Sequence, residues 1–483
     1  MKRIDCQLRK GVQLIHQGEN FYLLSEIPLV IIKVNEVLYH LLLEIKGSGS
    51  LSFIPEKDPQ LTGLLERLTR KGMLVKDEVI ETQTFPFVSV IIPVRNRPQD
   101  IRECLASLVS LDYPKDRIEI IVVDDGSTDS TGEVIQTFDI KTIHLPRSIG
   151  ASACRNLAAR EANGDLLGFT DSDCVIHPRW LTELSPYFND KKVGIVGGFV
   201  SNFYHHSSLD RYEEVKSSLN MGPLPFRVED QLSSAYVPSC NLIIRKEAYF
   251  EVNGFQEDLV VGEDVDLCWR TRELGYHLQY VPRGRIEHKH RNDLLPMLRR
   301  RYDYGTSEAI LYLRHRDKRK RLYLPAIYSI FYASVSLGII LQHLALFGLG
   351  LGILLVDFFR KYLKIERSGL RLKTFQILFS VMRAHFSFSY QTSSYLSRYY
   401  LIFLVPLSLL FPKVWGFLFF LLIFSGSVEF SIKRPKMNLL YFLFFYTLEQ
   451  FAYQTGVFWG CLRNKNFGSY FPTLLKKSEI ETG

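Results

Sequence analysis

Val122-Val123-Asp124-Asp125-Gly126-Ser127-Thr128-Asp129 closes an apolar run that starts at Ile118. Upstream, Val88–Pro93 is a second apolar, β-rich run, and Gln99–Leu108 between the two carries helical periodicity. Strand, helix and strand within about 35 residues make the βαβ unit of a parallel sheet. Thr142–Leu145 and Leu166–Asp171 continue the alternation and lead toward acidic or glycine-containing turns. Ligands of open α/β sheets sit outside the carboxyl ends of the strands. The expected fold class is therefore α/β, with a site at those ends.

Four clusters along this region carry chemistry. Asp124 and Asp125 stand at a strand end, where carboxylates accept hydrogen bonds from a base or ribose and Gly126 lets backbone approach a ligand. A capping turn ahead of a helix at Thr131 is the plainer alternative. Phe169-Thr170-Asp171-Ser172-Asp173 ends an apolar run. In an extended chain residues i and i+2 point the same way, so Asp171 and Asp173 can offer oxygens to one hard cation, Mg2+ or Mn2+, whose charge would offset their repulsion. Glu263-Asp264-Val265-Asp266 opens a periodic stretch. Acids in a first helical turn are often there for the dipole alone. The functional reading makes one of them, Asp264, the base that takes a proton from an attacking hydroxyl. Glu287-His288-Lys289-His290-Arg291 offers imidazoles for a metal and cations for phosphate. His288 and His290 are equally near candidates.

Two weaker signals accompany them. Pro93-Val94-Arg95-Asn96-Arg97 is a strand-end turn within reach of a nucleotide through Pro93 and Asn96. Gly150-Ala151-Ser152-Ala153-Cys154-Arg155-Asn156 brings Arg155 toward a phosphate. Either is equally a helix start. A GxxxxGK[ST] loop, a GxGxxG fingerprint and a GxSxG elbow are all absent from the sequence, which argues against P-loop NTPases, dinucleotide oxidoreductases and α/β-hydrolases.

The 483 residues suggest more than one domain. Residues 1–80 read as a small α+β module, with extended runs Val12–His16, Phe21–Ser25 and Leu29–Val34 and periodic stretches Glu36–Ile45 and Gln60–Arg70. The polar segment Asp77–Pro86 reads as a linker, and residues 81–320 as the α/β domain. From residue 321 the chain turns apolar. Leu322–Phe359 suits a close helix pair bending near Gln342 and His343, and Tyr399–Phe424 and Leu439–Gly460 are further apolar helices with polar interruptions. The net charge of +8 comes from 59 basic and 51 acidic residues. Its basic clusters, Arg283–Arg321, Arg360–Lys373 and Lys433–Lys436, flank apolar runs and point to a membrane surface rather than to nucleic acid. Seven dispersed cysteines without CxxC, and an N-terminus without a signal-like apolar core, point to a cytoplasmic catalytic part on the cell membrane.

Taken in order, PVRNR, VVDDGSTD, GASACRN, TDSD, GEDVDLCWR and EHKHR resemble the family 2 glycosyltransferases, whose catalytic domain has the GT-A fold. That resemblance implies a nucleotide-sugar donor. It implies Asp124 and Asp125 at the nucleoside, Asp171 and Asp173 at a divalent metal and diphosphate, Asp264 as catalytic base with Glu263 beside the substrate, and His288 as a metal ligand. Residues 11–76 look like the winged-helix-like peptide-recognition module of modified-peptide pathways. Module, catalytic domain and membrane-associated tail together are similar to the glycosyltransferase family of mycofactocin systems, which implies glucose transfer from UDP-glucose onto a peptide-derived redox cofactor precursor. Ser25-Glu26-Ile27-Pro28 departs from the small-residue turn of that module. A carbohydrate or lipid-linked acceptor is the alternative with the same chemistry, and a catalytically silent peptide-binding scaffold the alternative from another class.

Overall fold

The computed structural model describes residues 2–26, 29–49, 51–53, 59–80, 85–229 and 233–475. The chain divides into two compact units, one of residues 82–320 with 395–471 and the other of residues 1–81 with 321–394 and 472–483.

In the second unit named, the N-terminal module consists of β1 (Lys2–Leu8), β2 (Val12–Gln17), β3 (Asn20–Glu26), β4 (Leu29–Val34), α1 (Glu36–Ser48), β5 (Leu51–Phe53), α2 (Pro59–Arg70) and β6 (Leu74–Ile80). Helix α1 starts because the Asn35 side chain accepts from Leu38 N at 2.9 Å, and it stops at Gly49 in the left-handed region. β1 and β6 pair along their whole length, so Asp77–Ile80 is strand where the polar composition predicts a linker. The backbone ladder explains the difference: it takes its hydrogen bonds from the main chain and tolerates alternating charge. Residues 81–84 of the expected linker, and Ile27-Pro28 of the unusual turn, lie outside the described residues.

The α/β region of the other unit runs β7 (Val88–Val94), α3 (Pro98–Val109), β8 (Ile118–Asp124), α4 (Thr131–Ile135), β9 (Lys141–His144), α5 (Ala151–Arg160), β10 (Leu166–Phe169) and β11 (Cys174–Ile176). It continues with α6 (Trp180–Leu184), β12 (Val193–Gly197), β13 (Val200–Asn202), α7 (Ser208–Lys216), β14 (Phe226–Val228), β15 (Leu242–Arg245), α8 (Lys246–Glu251), α9 (Glu263–Glu273), β16 (His277–Tyr280), β17 (Ile286–His288) and α10 (Leu294–Arg314). Eight strands form one sheet in the order β14-β16-β12-β15-β10-β7-β8-β9. Every residue of β7 and β10 is buried, as expected of strands covered on both faces. β7, β8, β9 and β10 are parallel, whereas β15 runs against both its neighbours, so the sheet is mixed.

The strand order reverses between β7 and β10, which opens a crevice beyond their carboxyl ends. Pro93 helps to open it. The Ile91 carbonyl accepts from Thr170 N on the β10 side and the Val94 carbonyl accepts from Asp125 N on the β8 side. By alternation Pro93 turns its nitrogen toward β10, with no hydrogen to donate, and pairing on that side stops. Past Thr170 the chain leaves the sheet and enters a second, three-stranded sheet in the order β11-β17-β13.

The C-terminal helices are α11 (Ala326–Leu341), α12 (Leu344–Arg367), α13 (Thr374–Tyr399), α14 (Leu401–Leu410), α15 (Lys413–Lys433) and α16 (Leu439–Arg463). The α11–α12 pair bends at Gln342, in the left-handed region, and at His343. α12 and the start of α13 receive Tyr22 and Leu24 of β3, which pack against Ile365, Leu370 and Ile377, while Leu23 on the opposite face joins Leu38, Leu42 and Ile45 of α1. Among the described residues only Val414–Lys433 is long and apolar enough to cross a membrane.

α16 lies backbone to backbone on α10. A methyl group at Gly305, Gly456 or Gly460 would fall inside van der Waals contact of the facing carbonyl oxygens of Tyr453, Tyr302 and Thr306. The polar interruption Glu449 is buried in the same contact. It accepts from Tyr212 Oη at 2.5 Å and pairs with Arg398 at 3.1 Å and with Arg301, which is itself bound to Glu213 at 2.6 Å. Gly456→Val should lower stability by about 1–3 kcal/mol or more through overpacking. A drop in thermal midpoint relative to wild type checks this, and an unchanged midpoint would contradict the close approach.

Candidate active site

At the crevice the ends of β7 and β8 are stitched together. Asn96, in the left-handed region, donates from its backbone to Ser127 Oγ at 2.9 Å, and its side-chain oxygen accepts from Thr128 N at 2.8 Å. Asp124 Oδ1 accepts from Ser127 N at 3.0 Å and Oδ2 faces His144 Nδ1 at 3.2 Å. Asp125 receives three donors, Ser148 Oγ at 2.6 Å, Ile149 N at 2.6 Å and Gly150 N at 3.1 Å. Burial works to raise the Asp125 carboxyl, but these hydrogen bonds outweigh it and hold the group below the usual range. Asp125 thereby fastens the start of α5.

α5 carries Arg155 and Asn156 into the interior. Arg155 is 3% exposed. Its guanidinium donates to Asp171 Oδ1 at 2.6 Å and to Glu263 Oε1 at 3.3 Å, and it stacks over the Phe255 ring at 5.2 Å. Read in the sequence as a phosphate contact, Arg155 has both terminal nitrogens engaged with protein carboxylates. Asn156 holds the loop ahead of α9, accepting from Tyr249 Oη and Phe255 N and donating to the Phe255 carbonyl and to Glu257.

The Asp171–Asp173 segment is not extended. Cys174 N donates to the Asp171 carbonyl at 3.1 Å, which closes a turn. The turn forms because the chain must pass from β10 in one sheet to β11 in another, and it sends the two carboxylates to different cations. Asp171 goes to Arg155. Asp173 Oδ2 accepts from Arg97 at 2.8 Å and lies 4.0 Å from Arg291, while Oδ1 stands 3.4 Å from His288 Nε2. Burial works to raise the Asp171 carboxyl, but the Arg155 guanidinium and then His288 pull it below the usual range.

The β11–β17 register brings His288 to the site, since Cys174 pairs directly with His288 and Lys289 N donates to the Asp173 carbonyl at 2.9 Å. His290 lies tilted against His288 with ring centroids 4.9 Å apart, and burial with the neighbouring ring pushes its imidazole down to about 2. Ligand atoms of Asp173, Cys174 and His288 lie within 4.8 Å of one another. His288 Nδ1 is buried without a hydrogen-bond partner. Carboxylate and imidazole donors beside the part-exposed Asp171 fit a divalent cation.

α9 starts at Gly262, in the left-handed region, and its first residues are Glu263 and Asp264. Burial, and then the neighbouring Asp264 charge, push Glu263 up to about 7 against the pull of Arg155. Asp264 accepts from Ser239 N at 3.2 Å and Val265 N at 2.8 Å, yet burial still holds it above the usual range. The Arg300 guanidinium on α10 acts electrostatically on Asp171, Glu263 and Asp264 while stacking over Tyr304. Neither Arg97 nor Arg300 stands out in the sequence as a site residue. Arg97 was legible as a cation following the first strand, whereas Arg300 sits in a basic run whose facing only the packing of α10 reveals.

The family model for glycosyl transferase family 2 matches residues 89–250, from β7 through the Asp171–Asp173 turn to α8, so the chain carries a family 2 glycosyltransferase domain. It is 29% identical to the pre-mycofactocin glycosyltransferase of Mycobacterium tuberculosis, over 80% of this chain and 82% of that one. It is 34% identical to glycosyltransferase AglE of Haloferax volcanii, over 41% of this chain and 66% of that one. A solved mannosyltransferase of Pyrobaculum calidifontis, in complex with GDP-Man and Mn2+, covers 79% of this chain and 89% of its own at 15% identity and a TM-score of 0.45.

Removing the Arg155 charge leaves the part-buried carboxylates of Asp171 and Glu263 uncompensated, so Arg155→Met should cost up to about 3–5 kcal/mol of stability. Adding Glu263→Gln should recover part of that loss. Thermal or denaturant melts of the single and double variants check both expectations.

Proposed function

We propose that the protein is a metal-dependent, inverting glycosyltransferase that moves a sugar, glucose from UDP-glucose, onto a peptide-derived redox cofactor precursor. The observation that carries the reading is that one buried guanidinium, Arg155, gathers Asp171 and Glu263 beside Asp264. The acceptor class follows from the likeness to the pre-mycofactocin glycosyltransferase over most of both chains.

A divalent cation, Mg2+ or Mn2+, held by Asp171, Asp173 and His288, would offset charge building on the departing diphosphate. Pro93, Asn96, Asp124 and Asp125 form the wall against which the nucleoside rests. Arg291 and Arg300, both exposed, present charge toward the phosphates. Arg155 and Glu263 act by position, fixing the Asp171 turn against the start of α9. Asp264 takes the proton of the acceptor hydroxyl as its oxygen attacks the anomeric carbon from the face opposite the leaving group, and a single displacement inverts that carbon.

The N-terminal module serves peptide recognition in this reading. Membrane association rests on α15, where Trp415, Phe417, Phe419, Phe420 and Ile423 are exposed and the basic residues Lys433, Arg434 and Lys436 follow. The same apolar helix favours, as a second reading, a lipid-linked acceptor. Mass spectrometry of products from peptide-derived and lipid acceptors separates the two.

Asp264→Asn should lower kcat by roughly 10²–10⁴, the usual worth of a positioned base, and leave donor affinity within a few-fold. A near-normal rate removes Asp264 from the mechanism. Asp264 works only when ionised, and burial raises its folded value. The kcat/KM profile should therefore fall toward acid starting above the ordinary carboxylate range, and an acid limb at or below that range would count against the assignment.

A further inference from the structure

Three buried thiols adjoin the Asp171–Asp173 turn, and the mechanism uses none of them. Cys104 Sγ donates to the Asp171 carbonyl at 3.6 Å. Cys174 follows Asp173 directly, and its thiol hydrogen-bonds that of Cys240. The plain account is three small hydrophobes filling space beneath the turn. It suits Cys104 and Cys240. Cys174 differs, because the antiparallel register sets it opposite His288, so both side chains emerge on one face of the small sheet. Its sulfur lies within 4.8 Å of ligand atoms of both Asp173 and His288.

We propose that Cys174 is a third donor to the centre formed by Asp173 and His288, and that it makes this centre bind thiophilic divalent cations, Zn2+ and Cd2+, in competition with the hard cation of the reaction. The inference rests on the reading of Asp173 and His288 as metal ligands. Carboxylate, imidazole and thiolate together form a donor set that zinc favours, with a fourth tetrahedral position left for water or a phosphate oxygen. Mg2+ has no use for the sulfur and Mn2+ little, so the thiol separates soft cations from hard ones. As the sulfur–metal bond forms, the thiol proton passes to solvent, and no electron changes hands. His288 contributes an imidazole nitrogen, with Nδ1 already lacking a partner.

The test is a Cd2+ titration of the full-length protein, following the ultraviolet thiolate-to-cadmium charge-transfer absorption and displacing the ion with Mn2+. Wild type should develop the band at one equivalent. Cys174→Ala should lose it, with Cd2+ affinity weaker by on the order of 100-fold. Cys174→Ser, closer in volume to the native residue, should behave as Cys174→Ala does, so misfolding of one variant does not decide the outcome. Cys104→Ala should retain the band. Absence of the band in wild type, or its persistence in Cys174→Ser, overturns the inference. Mn2+-dependent sugar transfer by wild type, assayed without thiophilic metal, reports separately on the proposed reaction: if it persists while the band is absent, only the role of Cys174 is lost.

Discussion

A buried guanidinium between two carboxylates is the constraint around which this catalytic unit is arranged. Asp171, Glu263 and Asp264 would repel one another in this part-buried site, and the Arg155 charge is what allows them to share it. Its position is inherited along a chain of hydrogen bonds. Val94 O holds Asp125 N, the Asp125 carboxylate holds Ser148, Ile149 and Gly150, and α5 begins there and delivers Arg155 one and a half turns later. The neighbouring Asn156 fixes the loop that leads to α9. The proposed nucleoside wall and the proposed base are thus parts of one continuous polar network.

Much of this was legible in the sequence, for reasons that differ from residue to residue. β7, β8 and β10 announce themselves as apolar runs because both faces of the sheet are covered. The pairing of Asp173 with His288 could be suspected from residue types, but the choice between His288 and His290 depends on the register of a three-residue strand, which no periodicity encodes. The turn at Asp171–Asp173 was expected to be extended because local alternation was the only guide, and the passage from one sheet to another is a property of topology. Arg155 showed as a cation but not as a buried one, since burial depends on carboxylates supplied from Asp171 and Glu263.

The C-terminal helices carry a related lesson. Glu449 reads in sequence as an awkward charge in an apolar helix, compatible with an interfacial or re-entrant segment. In the fold it meets Arg301, Arg398 and Tyr212, so the interruption belongs to packing against α7 and α10. Buried charge clusters of this kind add little net stability, but they disfavour other registers of the helices that share them. Gly456 and Gly460 lie four residues apart, but only the partner helix shows that they face the backbone of Tyr302 and Thr306.

The two consecutive arginines of α10 give that helix a directional job. Arg300 turns outward, toward the proposed phosphate site, and Arg301 inward, toward Glu213 and Glu449. Their angular separation of about 100° is fixed by the helix itself. A chain ended at residue 320 would keep every motif by which the family is known, yet it would bare a glycine-lined groove and leave Arg301 without Glu449. The recognisable enzyme and the piece of polypeptide that folds therefore have different ends.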